Sequence, residues 1–262
     1  MFKFALQEDK FMIRFETFYI CCPNCGSYLE GKRLKSEMVN QSILYSDGKT
    51  LNDNYITEPQ KMVVCPACNH WFWIDDFVEP LVSGQKPDVF YTWNNWRFYG
   101  VKFGSNDGKT ALIKHYKDFL TKIKLDEEKE LYFRRLLWWA YNDFVRDRYQ
   151  ISLKYLFSGK MSFGVWIKNR RKIISGIRFF KSLRAEYVEN LRRLNELLDG
   201  RYIPSDERYE AANLERIEIL REMGSFNEAA VMLAVIPRRT HYIANIAKRV
   251  KKKDFWPFLV TG

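Results

Sequence analysis

The sequence predicts an α+β protein, with a β-rich module of about residues 1–104 followed by an all-helical region over 105–262. Three observations predict this. Short aromatic and β-branched runs broken by turn residues fill the first hundred positions. After Gly104 the apolar spacing changes to that of helices, and Gly, Pro and Ser then punctuate the chain where helices should stop and start. At 262 residues, 47% hydrophobic and 16% aromatic, the chain has ample material for a proper core.

In order, FKFALQ and FMIRFETFYI read as short strands flanking the charged turn Glu8-Asp9-Lys10. SILYSDGKTL offers Asp47-Gly48 as a tight turn. KMVV leads into CPAC, HWFWIDDFV leaves it as an aromatic strand, and YTWNNWRFYGVKFG is one more extended segment. KTALIKHYKDFLTKIK and DEEKELYFRRLLWWAYNDFVRDRY have helical spacing. In the second, Phe133, Leu136, Leu137, Ala140, Tyr141 and Phe144 share a stripe, Asp126 is placed to cap it, and Trp138 with Trp139 makes it apolar on most sides. KSLRAEYVENLRRLNELLDG reads as a helix stopped by Gly200. RYIPSDERYEAANLERIEILREMG reads as another, started around Ser205 and stopped by Gly224, and Ser225 with Glu228 forms a capping-box pattern opening SFNEAAVMLAVI. The hairpin over 205–236 is therefore TPR-like, in a single copy.

Four of the five cysteines fall into two C-x-x-C pairs, Cys22/Cys25 and Cys65/Cys68. Such a turn places two sulfurs on one side of a tetrahedral ion, and two turns complete a set of four thiolates. Pro23 and Pro66 stiffen the turns, and Gly26 supplies the positive φ that a tight knuckle needs. The expected cofactor is structural Zn2+ in a zinc ribbon, with an elaborated hairpin between the pairs. Redox pairs open helices, whereas CPACNHWFW runs on as a strand. Asn69 stands where a haem-attachment motif requires histidine, His70 is not needed as a ligand, and Cys21 is expected to be a packed thiol. Four thiolates close the coordination shell, so no position remains to activate water.

No reaction is written in the rest of the chain. Gly104-Ser-Asn-Asp-Gly108-Lys109-Thr110 resembles a phosphate-binding loop but has three residues between its glycines instead of four. His70, His115 and His241 belong to no nucleophile or metalloprotease pattern. Asp75 and Asp76 are strand neighbours facing opposite ways, and KRVKKK at 248–253 reads as a solvated helix end. The chain is therefore expected not to be an enzyme, and no small-molecule substrate is implied.

Charge is uneven. Residues 148–193 carry 12 basic and 2 acidic side chains, close to the whole net excess of +11. This basic insert, 150–185, interleaves Lys160, Lys168, Arg170, Arg171, Lys172, Arg178, Lys181 and Arg184 with Phe157, Phe163, Trp166, Ile173, Ile174, Phe179 and Phe180. Anionic membrane surface and nucleic acid both suit that chemistry, against a solvated helical face as the plain reading. Gly159, Gly164 and Gly176 are expected to interrupt any single long helix there. The N-terminus lacks a leader pattern and no window approaches a membrane span, so the expected location is the cytoplasm, with the inner face of the membrane as a peripheral site.

CPNCG, CPACNHWFWIDD, Trp138-Trp139-Ala140 with Asn142-Asp143, and ILREMGSFNEAAVML together resemble a group of uncharacterised bacterial proteins. Those proteins join an N-terminal zinc ribbon to a helical, TPR-like C-terminal region. The basic insert has no counterpart in that pattern. The resemblance implies a bacterial origin, a zinc site and no catalysis. The leading expectation is thus a zinc-binding interaction or scaffold protein with an unidentified protein partner. The alternative is a peripheral binder of anionic membrane or nucleic acid through 150–185.

Overall fold

The computed structural model describes residues 14–36, 42–52, 62–74, 91–92, 106–159, 161–236 and 240–260. Lys160, Asp75, Asp76, the strand read at FKFALQ and most of the segment read at 91–104 lie outside the described residues. The fold is α+β: small antiparallel hairpins, then an all-helical region. Two compact units divide the chain, one of Met1–Ser42 with Leu51–Val101, the other of Ile43–Thr50 with Lys102–Gly262.

In the first unit, β1 (Arg14–Cys21) and β2 (Tyr28–Ser36) pair antiparallel with Cys21 opposite Tyr28. Aromatic and β-branched residues fit a half-buried pleat, and Phe18, Ile20 and Leu29 are buried there. β2 was not foreseen. After β3 (Ser42–Leu44) and β4 (Thr50–Asn52), which form a two-stranded hairpin, come β5 (Met62–Val64) and β6 (Trp71–Trp73), antiparallel with Val64 opposite Trp71. β7 (Tyr91–Thr92) adds to β2 in parallel. Val63 and Phe72 join Phe18, Ile20 and Leu29 in one small core with Cys22 and Cys65.

The second unit holds α1 (Asn106–Lys122), α2 (Glu127–Asn142), a 3-10 turn (Arg146–Ile151), α3 (Leu153–Leu156), α4 (Phe163–Ser182), α5 (Arg184–Leu198), α6 (Tyr209–Met223), α7 (Phe226–Ala234) and α8 (His241–Lys251). The Asp126 carboxylate accepts from the Lys129 amide at 2.8 Å, the expected N-cap of α2. Trp138, Leu137, Tyr141 and Phe144 meet Phe180, Tyr187, Leu191 and Leu194 in the main core. A second cluster around Ile217, Leu220, Leu233, Ile243 and Ile246 joins α6, α7 and α8.

Four expectations are corrected. Gly164 and Gly176 do not interrupt α4: Gly164 sits in its first turn, and Gly176 lies on the same buried face as Trp166, Ile173 and Phe180. A mid-helix glycine costs about 1 kcal/mol against alanine, an amount that packing readily offsets. The helix read from Lys181 starts instead at Arg184, because α4 runs on to Ser182 and the chain bends at Leu183. α6 starts at Tyr209, not near Ser205, because the Asp206 carboxylate accepts from the Arg208 amide at 2.8 Å and holds an Asx turn. The Ser225–Glu228 capping box does not form. Gly224, at φ +100°, closes α6 instead, and the Ser225 amide donates to the Leu220 carbonyl at 2.9 Å. That Schellman turn occupies the donor a capping-box glutamate would need.

Candidate metal centre

The two knuckles are built alike. Between β1 and β2, the Gly26 amide donates to the Cys22 carbonyl at 2.9 Å and the Cys22 amide to the Ser27 carbonyl at 2.8 Å. Between β5 and β6, the Asn69 amide donates to the Cys65 carbonyl at 2.8 Å and the Cys65 amide to that of His70 at 2.9 Å. Each knuckle turns through a left-handed residue after its second cysteine, Gly26 at φ +72° and Asn69 at φ +56°. Asn69 was missed in that role, although its place matches that of Gly26 and asparagine tolerates this conformation.

These turns bring the Sγ atoms of Cys22, Cys25, Cys65 and Cys68 all within 4.8 Å of one another. Cys22 lies 3.7 Å from Cys68, and Cys25 lies 3.6 Å from Cys65. A zinc–sulfur bond of about 2.3 Å gives a tetrahedral edge of about 3.8 Å, so the donor set fits such an ion in size and in chemistry. Burial pushes the Cys65 thiol up to about 12 and raises Cys22, while hydrogen bonding with Ser27 holds Cys25 down to about 6. Buried thiols reluctant to ionise need a cation to become thiolates together. His70 is exposed and outside the cluster. Cys21 is not the packed thiol expected: it is exposed, and its Sγ lies 3.4 Å from the Gly26 carbonyl. Adjacent strand residues face opposite ways, so Cys22 points inward and Cys21 outward.

The basic segment divides. Lys168, Arg170, Arg171, Lys172, Arg178 and Lys181 are exposed along α4. Arg184 stands apart from them. It is half-buried, donates to the Glu222 carbonyl at 2.6 Å and stacks on Phe255 at 4.6 Å and Tyr187 at 5.1 Å. The cysteine tetrahedron and the α4 cations belong to different units. Lys109, of the loop that resembled a phosphate cradle, lies in the first turn of α1 and donates to the Asp143 carbonyl. His115 packs edge-on against Phe119 at 4.4 Å, and burial lowers its pKa to about 4. His241 is exposed.

Sequence reasoning also missed a network of buried charges in the helical unit. Asp47, at the tip of the β3–β4 hairpin, accepts from Arg146 Nη1 at 2.7 Å and from Arg146 Nη2, and takes Asn142 Nδ2 at 2.8 Å. Lys49 pairs with Asp143 at 2.7 Å, and Arg146 Nε reaches the same carboxylate at 2.7 Å. Burial raises the Asp143 carboxyl, but Lys49 and Arg146 outweigh it and hold the group below the usual range. Glu222 accepts from Trp138 at 2.7 Å, Asn142 at 3.0 Å and Tyr187, and burial pushes its pKa up to about 7. Arg221 forks onto Glu218 at 2.6 and 2.8 Å. These partners satisfy one another around the hairpin tip, an arrangement suited to holding 43–50 in place.

A groove of about 810 Å3 runs beside the α6–α7 hairpin, with Glu207, Glu210, Arg216, Met232, Val235 and Ile236 in its lining. Val235 is 78% exposed there. Comparison with protein-family models, curated proteins and solved structures gives no match for this chain.

Proposed function

We propose that the chain is a non-enzymatic interaction protein in which zinc, held by Cys22, Cys25, Cys65 and Cys68, fixes the ribbon and the helical unit binds a protein partner. A shell of four thiolates has no open position, so the ion folds the two knuckles together and does no chemistry. The groove of the helical unit carries the interaction reading. It brings the carboxylates of Glu207 and Glu210 together with exposed Val235, half-buried Met232 and the buried Ile236, a lining that suits a peptide bearing basic and apolar side chains. The pairing of α6 with α7 through the Gly224 turn supports a TPR-like presentation of that groove, in a cytoplasmic protein of the bacterial type described above.

A peptide array spanning basic, acidic and apolar compositions, probed with the whole protein, tests the reading. Binding should favour basic–apolar peptides and fall in a Glu207→Lys, Glu210→Lys variant. Binding indifferent to peptide charge, or unchanged in that variant, would contradict it.

A further inference from the structure

We propose that the α3–α4 arm docks on an anionic lipid bilayer, independently of the groove, with its aromatic apex inserted among the acyl chains and α4 lying along the headgroups. From Arg148 to Ala185 the chain has no carboxylate side chain at all. On α4, Lys168, Arg171, Lys172, Ser175 and Arg178 recur at helical spacing on the face opposite the buried Trp166, Ile173, Gly176 and Phe180. Several other cations of this unit find carboxylates: Lys117 has Glu186, Arg135 has Glu215, Arg193 has Glu130 and Arg216 has Asp199. Among the described residues the exposed cations of α4 have none, so the stripe is an unneutralised positive field.

At the start of that stripe lies exposed apolar surface of a kind a solvated face avoids. Phe157 is 81% exposed, Leu153 and Phe163 62% and Val165 49%. Leu153 and Phe157 are four residues apart at either end of α3, the chain turns back at Gly159 (φ +72°), and Phe163 opens α4. The Phe163 ring stacks on Trp166 at 6.1 Å, and Arg170 covers Trp166 at 5.4 Å, so the apolar apex grades directly into the cations. Phosphates alone would satisfy the cations, and bases can stack on the rings. Neither gives Leu153 and Val165 an apolar phase, and a bilayer interface does. Charge complementarity with phosphatidylserine-type headgroups therefore selects the occupant.

The test is co-sedimentation of the full chain with phosphatidylcholine vesicles containing or lacking phosphatidylserine, with single-stranded RNA as competitor. A second arm uses the Phe157→Trp variant with brominated lipids. The anionic vesicles alone should bind. Lys168→Ser, Arg170→Ser, Arg171→Ser and Lys172→Ser together should weaken partitioning on the order of a hundredfold or more. Phe157→Ser with Phe163→Ser should weaken it at least about tenfold. All these side chains are exposed, and unchanged circular dichroism would show that the variants fold. The Phe157→Trp variant should show bromine quenching beyond that of the parent protein. Displacement by RNA, binding unaffected by the phenylalanine changes, or no added quenching would overturn the proposal.

Discussion

Asp47→Ala should destabilise the helical unit more than any change on its surface. The Asp47 side chain is fully buried and takes both terminal nitrogens of Arg146, whose own side chain is 3% exposed. It also holds Asn142 and, through Oδ1, the Lys49 amide at 3.2 Å. Breaking a buried pair costs about 3–5 kcal/mol, because the partner charge stays buried without its counter-ion. Arg146 retains Asp143, which places the loss near the lower end, about 3 kcal/mol. For a unit of this size that is roughly 6–12 °C in melting temperature. Thermal and urea unfolding followed by far-ultraviolet circular dichroism would measure it. Arg192→Ala, which removes an exposed pair with Glu189, is the control and should stay within about 0.5 kcal/mol. Replacing both partners, Asp47→Leu with Arg146→Met, should recover part of the loss, since the orphaned charge is then gone. An Asp47→Ala variant as stable as the control would refute the claim that this network holds the hairpin tip.

Half-buried His115 and buried Glu222 should oppose each other in the pH dependence of stability. His115 has a folded pKa of about 4, so its contribution is complete above the unfolded value near 6.5 and is lost as pH falls toward 4. Glu222 has a folded pKa of about 7, so it binds more protons folded than unfolded, and its penalty is relieved as pH falls from about 7 toward 4.5. Glu222→Gln should therefore unmask a steeper loss of stability between about pH 6.5 and 4.5 in urea titrations; profiles parallel to the parent would contradict the assignment. Gly224→Ala should cost about 1–2 kcal/mol by chemical denaturation. A methyl group there meets nothing within 4 Å, so the whole effect is the left-handed backbone at φ +100°; an unchanged midpoint would show that the Schellman turn relaxes freely. Asn69→Gly should leave metal retention against a chelator unchanged, whereas Asn69→Val, unable to hold φ +56° cheaply, should speed metal loss; equal retention would remove Asn69 from the knuckle argument.

Much of this was legible in the sequence where local chemistry decides. Cysteine spacing placed the four sulfurs, Asp126 and Gly224 marked helix ends, and the stripe from Phe133 to Phe144 reported a helix packed on most sides. β2 escaped because Leu29-Glu30-Gly31-Lys32-Arg33 has no apolar run; pairing with β1 makes it a strand. Glu218, Arg221 and Glu222 looked like any solvated helical face, since charge burial depends on tertiary neighbours such as Tyr187 and the hairpin tip. The spacing Asp143-x-x-Arg146 carried a weak signal of an i,i+3 pair but none of its burial. The apolar exposure of Phe157 and Phe163 was equally invisible, because composition does not say which side of a helix is covered.

Metal analysis of the purified protein, joined to X-ray absorption at the zinc edge, tests the central claim most directly. The account predicts one zinc per chain with four sulfur neighbours at about 2.3 Å. Cys65→Ser should lose the ion and the ribbon's folded circular-dichroism signal, since such sites supply on the order of 10–16 kcal/mol. Nitrogen or oxygen in the zinc shell, or a Cys65→Ser protein that keeps both its zinc and its fold, would contradict it.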